Sequence, residues 1–503
     1  MPAGLGGRLA PVREQLLAAG FTVDGLADLL GPVALGALAR GQRVPVRRAL
    51  VQAAAGGGAP ADLAVLVRLL VLGETVALDA VARVLPAWAE LTAPVRPGGE
   101  RRPAVLVAAG SELRARLEVR PYADEAGDYY VVSDLPAPSG APVAPDTVPG
   151  VGSASLTLAQ LAVREPVATA LDLGTGCGVQ LLHLARHAAA VTGTDTNPRA
   201  LDMAAWTAAL SGVGAQLLAG DRFGPVAGRR FDLVVSNPPF VVGGGQRLEY
   251  RDGQLAGDEL VASLVATVPN HLAPGGWCQL LANWLHVPGQ DWRERVAGWL
   301  AGTGLDAWVV QREVADPARY AETWLRDADD QLDQAAYGRW LDALAGLGAS
   351  GVGFGWICLR AGGHVVPTLR LEEATGATGP GLGAEVAAWF ARTDLLGASD
   401  DAALAAMTLR LGDDVRLVVR RDGGAAGWGP PRWQVARDTG LARTAHLDAL
   451  GADVLGRCDG VTPLGTALAA AATAHGLAVD EVTPGALGAV RALVEEGVLL
   501  PPG

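Results

Sequence analysis

From about residue 165 to residue 362 the chain alternates between short apolar runs and amphipathic ones, and this rhythm restricts the fold more than any other feature. In order come VATALDLG, VQLLHLARHA, AVTGTD, PRALDMAAWTAAL, QLLAG and FDLVVSNPPF. The short runs read as strands; the longer runs between them carry the helical period. A βαβαβ succession of this kind predicts an open parallel sheet covered by helices on both faces. DELVASLVATVPNHLAPGG, WCQLLANW, DWRERVAGWLAGTG, LDAWVVQREV and GFGWICLR continue it as helix, strand, helix, strand, strand. The count predicts an α/β, seven-stranded, doubly wound domain.

The flanks read differently. Residues 1–95 are predicted to be a helical N-terminal domain, with Thr22 as an N-cap in TVDGLADLL and Gly73 closing ADLAVLVRLLVLG. Residues 96–150 give alternating runs around the turn-prone ADEAG, then PAPSGAPVAPDTVPGVGS, whose five prolines predict a linker or extended arm. The parallel-sheet domain is assigned 151–365. Residues 366–503 end in two helical runs and a short apolar strand, predicting an α/β module of winged-helix character. These terminal domains are candidate sites for a protein partner.

Composition excludes several chemistries. The chain has no lysine and one isoleucine, Ile357, so neither Schiff-base lysine catalysis nor a P-loop is available. A net charge of −13 opposes sequence-independent nucleic-acid binding, while leaving room for local basic patches such as Arg40, Arg43, Arg47 and Arg48. Four cysteines at 177, 278, 358 and 458 lack any C-x-x-C pairing, which disfavours disulfides and zinc and suits a reducing cytoplasm. His183 and His187 lie four apart on a predicted helix without an evident third ligand, so no metal site is predicted. Trp284, Trp292 and Trp299 read as packing residues at helical spacing. No long uncharged apolar stretch predicts a membrane span or signal segment.

Two constellations carry chemistry. In LDLGTGCGVQ, Gly174, Gly176 and Gly178 crowd the turn between the first strand and a helix, where glycine lets backbone amides approach a ligand. Asp195 ends the next strand, where a carboxylate can accept hydrogen bonds from ribose hydroxyls. A tight structural turn or a dinucleotide site also takes this pattern. Asp172, just before the glycines, opposes a pyrophosphate and suits an ammonium. The second constellation, Asn237, Pro238, Pro239 and Phe240, directly follows an apolar strand. Two prolines stiffen the backbone and remove two donors, leaving carbonyl acceptors. The Asn237 side-chain oxygen and the Pro238 carbonyl are suited to accept the two N–H groups of a planar nitrogen, with Phe240 stacked on its plane.

Together these motifs resemble the class I S-adenosylmethionine-dependent methyltransferases with a Rossmann-like core, whose first motif is an acidic residue followed by G-x-G-x-G. SNPPF resembles the [N/D]-P-P-[Y/F/W] motif of the branch that modifies nitrogen. The resemblance implies S-adenosyl-L-methionine as cofactor, held by Asp172, Gly174, Thr175, Gly176, Gly178, Asp195, Thr196, Asp221 and Asn237. It implies Asn237, Pro238, Pro239 and Phe240 as the catalytic set. A helical domain before the core and GDRF before the fourth strand resemble the HemK/PrmC type, which implies a protein glutamine amide on a release-factor-like substrate. That type usually has Tyr where Phe240 stands and often Trp where Arg222 stands. NPPF is also frequent among enzymes that methylate exocyclic amines of ribosomal RNA bases, and a non-catalytic binding scaffold is the third reading. The segment after the tetrapeptide is a candidate mobile loop, with Tyr250, Arg251 and Asp252 as its contacts.

Overall fold

The computed structural model describes residues 4–93, 104–137, 143–243, 248–251, 257–327, 333–424 and 427–502. They form two compact units, Met1–Ala159 with Glu165–Glu373, and Gln160–Arg164 with Ala374–Gly503.

The first unit is built on a sheet of strands β1 (Val167–Leu173), β2 (Ala188–Asp195), β3 (Gln216–Ala219), β4 (Phe231–Ser236), β5 (Leu272–His286), β6 (Asp306–Ala315), β7 (Gly351–Arg360) and β8 (Leu369–Glu373). Their spatial order is β8-β6-β7-β5-β4-β1-β2-β3. β1 to β5 pair in parallel, and β7 is antiparallel to both neighbours. The expected Rossmann-like core is present, with one correction: among the described residues there are eight strands, because β8 adds in parallel to β6. The sheet therefore runs past the boundary expected at 365. Val, Leu and Ile357 fill the middle strands because both faces are covered; Val234, Val309 and Ile357 are fully buried. Trp284 lies in β5 rather than on a helix, stacked on Trp292 with centroids 5.2 Å apart.

The chain order reverses at β1, whose partners are β2 on one side and β4 on the other. Register aligns the carboxyl ends: Leu173 lies opposite both Thr194 and Ser236. The Ser236 hydroxyl donates to the Leu173 carbonyl at 2.8 Å and pins β4 to β1. Asp172, Asp195 and Asn237 thus reach one edge of the sheet, the crevice where open α/β sheets bind ligands.

Five helices, Leu5–Ala18, Val23–Ala39, Val44–Gly56, Gly58–Leu66 and Leu78–Val84, make the head, and the Thr22 hydroxyl accepts from the Gly25 amide as an N-cap. A hairpin follows, Leu117–Asp124 against Gly127–Asp134, as the alternation predicts. Head and hairpin pack on helix α2 (Pro198–Leu210), in which every residue from Ala200 to Leu210 is buried. The Thr207 hydroxyl accepts from the Val132 amide and the Ser211 hydroxyl from the Tyr130 amide. His183, on helix α1 (Val179–Leu184), is buried 2.8 Å from the Tyr122 hydroxyl. Between β6 and β7 the sequence reading missed an insertion, helices α3 (Pro317–Asp327) and α4 (Gln334–Gly346).

The second unit has the two expected helices, Leu464–Ala474 and Val479–Glu495, and the short strand Leu499–Leu500. That strand pairs with Thr408–Leu411 in a three-stranded antiparallel sheet. A second antiparallel sheet, Val415–Arg420, Arg432–Arg437 and Thr444–Leu447, was not anticipated. Glu385 is buried between the guanidinium groups of Arg392, at 2.5 Å, and Arg437, at 2.9 Å.

Candidate active site

A cleft of about 690 Å³ opens at the carboxyl edge of β1, β2 and β4. It brings together all but one of the expected cofactor set, namely Asp172, Gly174, Thr175, Gly176, Asp195, Thr196, Asp221 and Asn237; Gly178 does not line it. Pro238 and Pro239 line it too.

The three glycines all take positive φ, at 79°, 53° and 83°, a region costly for other residues. They differ in what surrounds them. A Cβ on Gly174 or Gly176 would meet nothing within 4 Å, whereas one on Gly178 would come 2.9 Å from the Ala204 Cα of α2. The first two keep the cleft floor bare; the third lets α1 approach α2. The expectation that the loop amides face a ligand is corrected by their hydrogen bonds. The amides of Gly174 and Thr175 donate to the Thr194 carbonyl, that of Gly176 to Asp195 Oδ2 at 2.9 Å, and that of Gly178 to the Thr175 carbonyl. These donors are committed within the protein, so the loop is no phosphate cradle, which weighs against a dinucleotide.

Asp172 is 1% exposed and accepts from the Thr175 hydroxyl at 2.6 Å. Burial pushes its carboxyl up to about 7, with Thr175 opposing and the nearby Asp195 adding to the rise. Asp195 is half-buried and accepts the amides of Gly176 and Asn197. Burial raises its carboxyl as well, against those hydrogen bonds. Asp221 is exposed and paired with Arg222 at 2.9 Å. With Glu249, the cleft is lined by four carboxylates and one guanidinium, a surround that favours a cation.

Phe240 departs from expectation. It is absent from the cleft lining and, half-buried, packs against two apolar clusters, one holding Leu171 and Val234, the other Tyr320 and Trp340. β4 ends at Ser236, and the two prolines carry the chain out of the sheet toward α3 and α4, where an aromatic ring finds apolar neighbours. Arg251 also lies away from the cleft, 5% exposed, while Tyr250 lines it and Asp252 lies outside the described residues.

Sequence reasoning missed one wall altogether. Pro145 to Gly150, read as a linker, contribute Thr147, Val148 and Gly150 to the cleft. The arm is fixed because the Val148 amide donates to Asp134, the Asn197 side chain to the Asp146 carbonyl, and the Glu249 amide to the Pro145 carbonyl. The dense prolines do signal an extended backbone with free carbonyls. What those carbonyls meet is a tertiary matter.

Residues 150–290 match the family described as methyltransferase small domain. This segment is a class I methyltransferase domain. Residues 18–95 and 387–501, outside the methyltransferase domain, match two families described as domains of unknown function. A ribosomal RNA small subunit methyltransferase C of Alcanivorax borkumensis is 34% identical over 113 residues, covering 22% of this chain and 31% of the relative. A release factor glutamine methyltransferase of Xylella fastidiosa is 36% identical over 126 residues, covering 22% of this chain and 46% of the relative. The chain spans less than half the length of either. A solved 16S rRNA N2 methyltransferase of T. thermophilus overlaps with a TM-score of 0.26 at 20% identity, covering 45% of this chain and 58% of that one, too small an overlap to bear on the fold. No single helix among the described residues is long and apolar enough to cross a membrane.

Proposed function

We propose that this protein is an S-adenosylmethionine-dependent N-methyltransferase that acts in the cytoplasm on a planar nitrogen of a macromolecule. The observation that carries the reading is the opening of Asn237, Pro238 and Pro239 into the same cleft as the glycine loop, Asp172 and Asp195. The cleft fits the cofactor: two glycines leave its floor bare, and Asp172, Asp195 and Asp221 suit a ligand with a sulfonium and an ammonium. When bound, S-adenosylmethionine supplies an electrophilic methyl, which forms a bond to the acceptor nitrogen while the carbon–sulfur pair returns to sulfur.

The chain's part is alignment. The Asn237 side-chain oxygen and the Pro238 carbonyl accept the acceptor's two N–H groups and hold its lone pair in line. The N–H proton becomes acidic as the new bond forms and leaves to water, so no strong base is required. Dipoles fixed in advance supply the remaining stabilisation.

For the acceptor, we favour a glutamine amide of a release-factor-like protein, because the acidic cleft repels nucleic-acid phosphates. The second reading, an exocyclic amine in ribosomal RNA, is favoured by Phe240, which lacks the hydroxyl of the glutamine-modifying type. We further propose the four segments 1–95, 96–150, 151–365 and 366–503 as sequence modules, with β8 at the head of the last belonging to the catalytic sheet and the terminal ones available to a protein partner. Incubation of the protein with radiolabelled S-adenosylmethionine and cell extract, followed by protease or nuclease digestion, tests this. Label released by protease supports the amide, label released by nuclease supports the base, and label in neither rejects both.

A further inference from the structure

Withdrawal of Phe240 into apolar packing leaves the catalytic edge without the aromatic surface expected there. The turn Leu248–Arg251 supplies one. Leu248 and Arg251 are buried, at 1% and 5% exposure, and between them Glu249 and Tyr250 line the cleft with Asn237, Pro238 and Pro239.

Three anchors hold this turn. The Arg251 carbonyl accepts from the Val241 amide at 3.1 Å, which ties the turn directly to the residue after Phe240. The Arg251 guanidinium donates to the Trp324 carbonyl at 2.7 Å and lies 5.7 and 5.9 Å from the ring centroids of Trp324 and Trp340, so the insertion helices α3 and α4 grip it. The Glu249 amide donates to the Pro145 carbonyl at 2.9 Å, joining the turn to the proline-rich arm. A buried residue on each side thus fixes the backbone of the two residues that face the cleft.

We propose that Glu249 and Tyr250 form the acceptor subsite, resting on the N-methyltransferase reading above. The Tyr250 ring packs on the face of the planar acceptor, the role assigned from sequence to Phe240. The Glu249 carboxylate accepts an N–H of the acceptor other than the two held by Asn237 and Pro238, such as a backbone amide of a glutamine peptide. The ligand class is a neutral planar group with N–H donors; an anionic acceptor is repelled by Glu249.

The test uses the full chain and three variants, Tyr250→Ala, Tyr250→Phe and Glu249→Gln. Calorimetric titration with S-adenosylhomocysteine reads the cofactor side, label transfer to extract reads the acceptor side, and hydrogen exchange at the Val241 amide reads the anchors. Tyr250→Ala is expected to lower transfer about tenfold or more, and Glu249→Gln about tenfold. Tyr250→Phe retains transfer, and all three keep wild-type affinity for S-adenosylhomocysteine and wild-type exchange. Transfer by Tyr250→Ala and Glu249→Gln at the wild-type rate overturns the subsite alone, as does a loss that only tracks cofactor affinity or faster exchange. A wild-type chain that transfers no label overturns the transferase reading beneath it.

Discussion

Asp172 is poised between two charge states near neutral pH because burial disfavours its carboxylate while, among the described residues, nothing cationic stands beside it. Its folded carboxyl is raised above the ordinary value, so between about pH 4 and about pH 7 the folded chain holds a proton that the unfolded chain has released. Stability contributed by this group is therefore present at low pH, falls as pH rises through that window, and is flat above it. Asp172→Asn is expected to raise the thermal midpoint at pH 8 and to weaken S-adenosylmethionine binding at least tenfold. In the wild type, affinity for that cation should grow from pH 6 to pH 8 with proton release, which calorimetry in buffers of different ionisation enthalpy detects. Asn237→Ala is expected to cut transfer by roughly a hundredfold or more while leaving S-adenosylhomocysteine affinity within about twofold; undiminished turnover would remove Asn237 from the mechanism. At this scale the sequence was informative where chemistry is local. Asp172, Asp195 and Asn237 sit at strand ends, and strand ends are visible in hydropathy. The fate of Phe240 was invisible because α3 and α4, nearly a hundred residues downstream, decide it.

The glycine loop separates two roles that one motif conceals. Gly174→Ala introduces backbone strain alone, of about 1–2 kcal/mol, because its Cβ position is open. Gly178→Ala adds to that strain a collision with the α2 backbone and should lower the melting midpoint markedly more. Melting curves of the two variants side by side decide this, and equal midpoints would contradict the packing argument. Elements were legible where periodicity reports burial: β1 to β7, the hairpin and the capped second helix of the head all announce themselves. β8 was not, since LRLEE is short and only partly buried at the sheet edge. Nor was the second sheet of the C-terminal unit, whose strand Val415–Arg420 is largely exposed on both faces and so carries no alternation of burial.

Taken as a whole, the chain is two cores with separate sources of stability. In the second, Glu385 pairs with the buried Arg392 and with the half-buried Arg437, which also reaches Asp414 at 3.0 Å. Glu385→Ala strands the Arg392 charge and should cost that unit about 3–5 kcal/mol. Differential scanning calorimetry is expected to show its transition shifted down, while S-adenosylhomocysteine still raises the transition of the first unit. In that first unit, helix α2 has no side facing water from Ala200 onward: head and hairpin cover what the sheet does not. A fragment cut to residues 150–290 would retain the binding motifs yet lay bare the side of α2 that head and hairpin cover, and should precipitate or recruit chaperones rather than work as a minimal enzyme. Whoever seeks a smaller active piece must carry both the head and the hairpin that ends at Asp134 along, because together they are the missing half of that helix's wrapping.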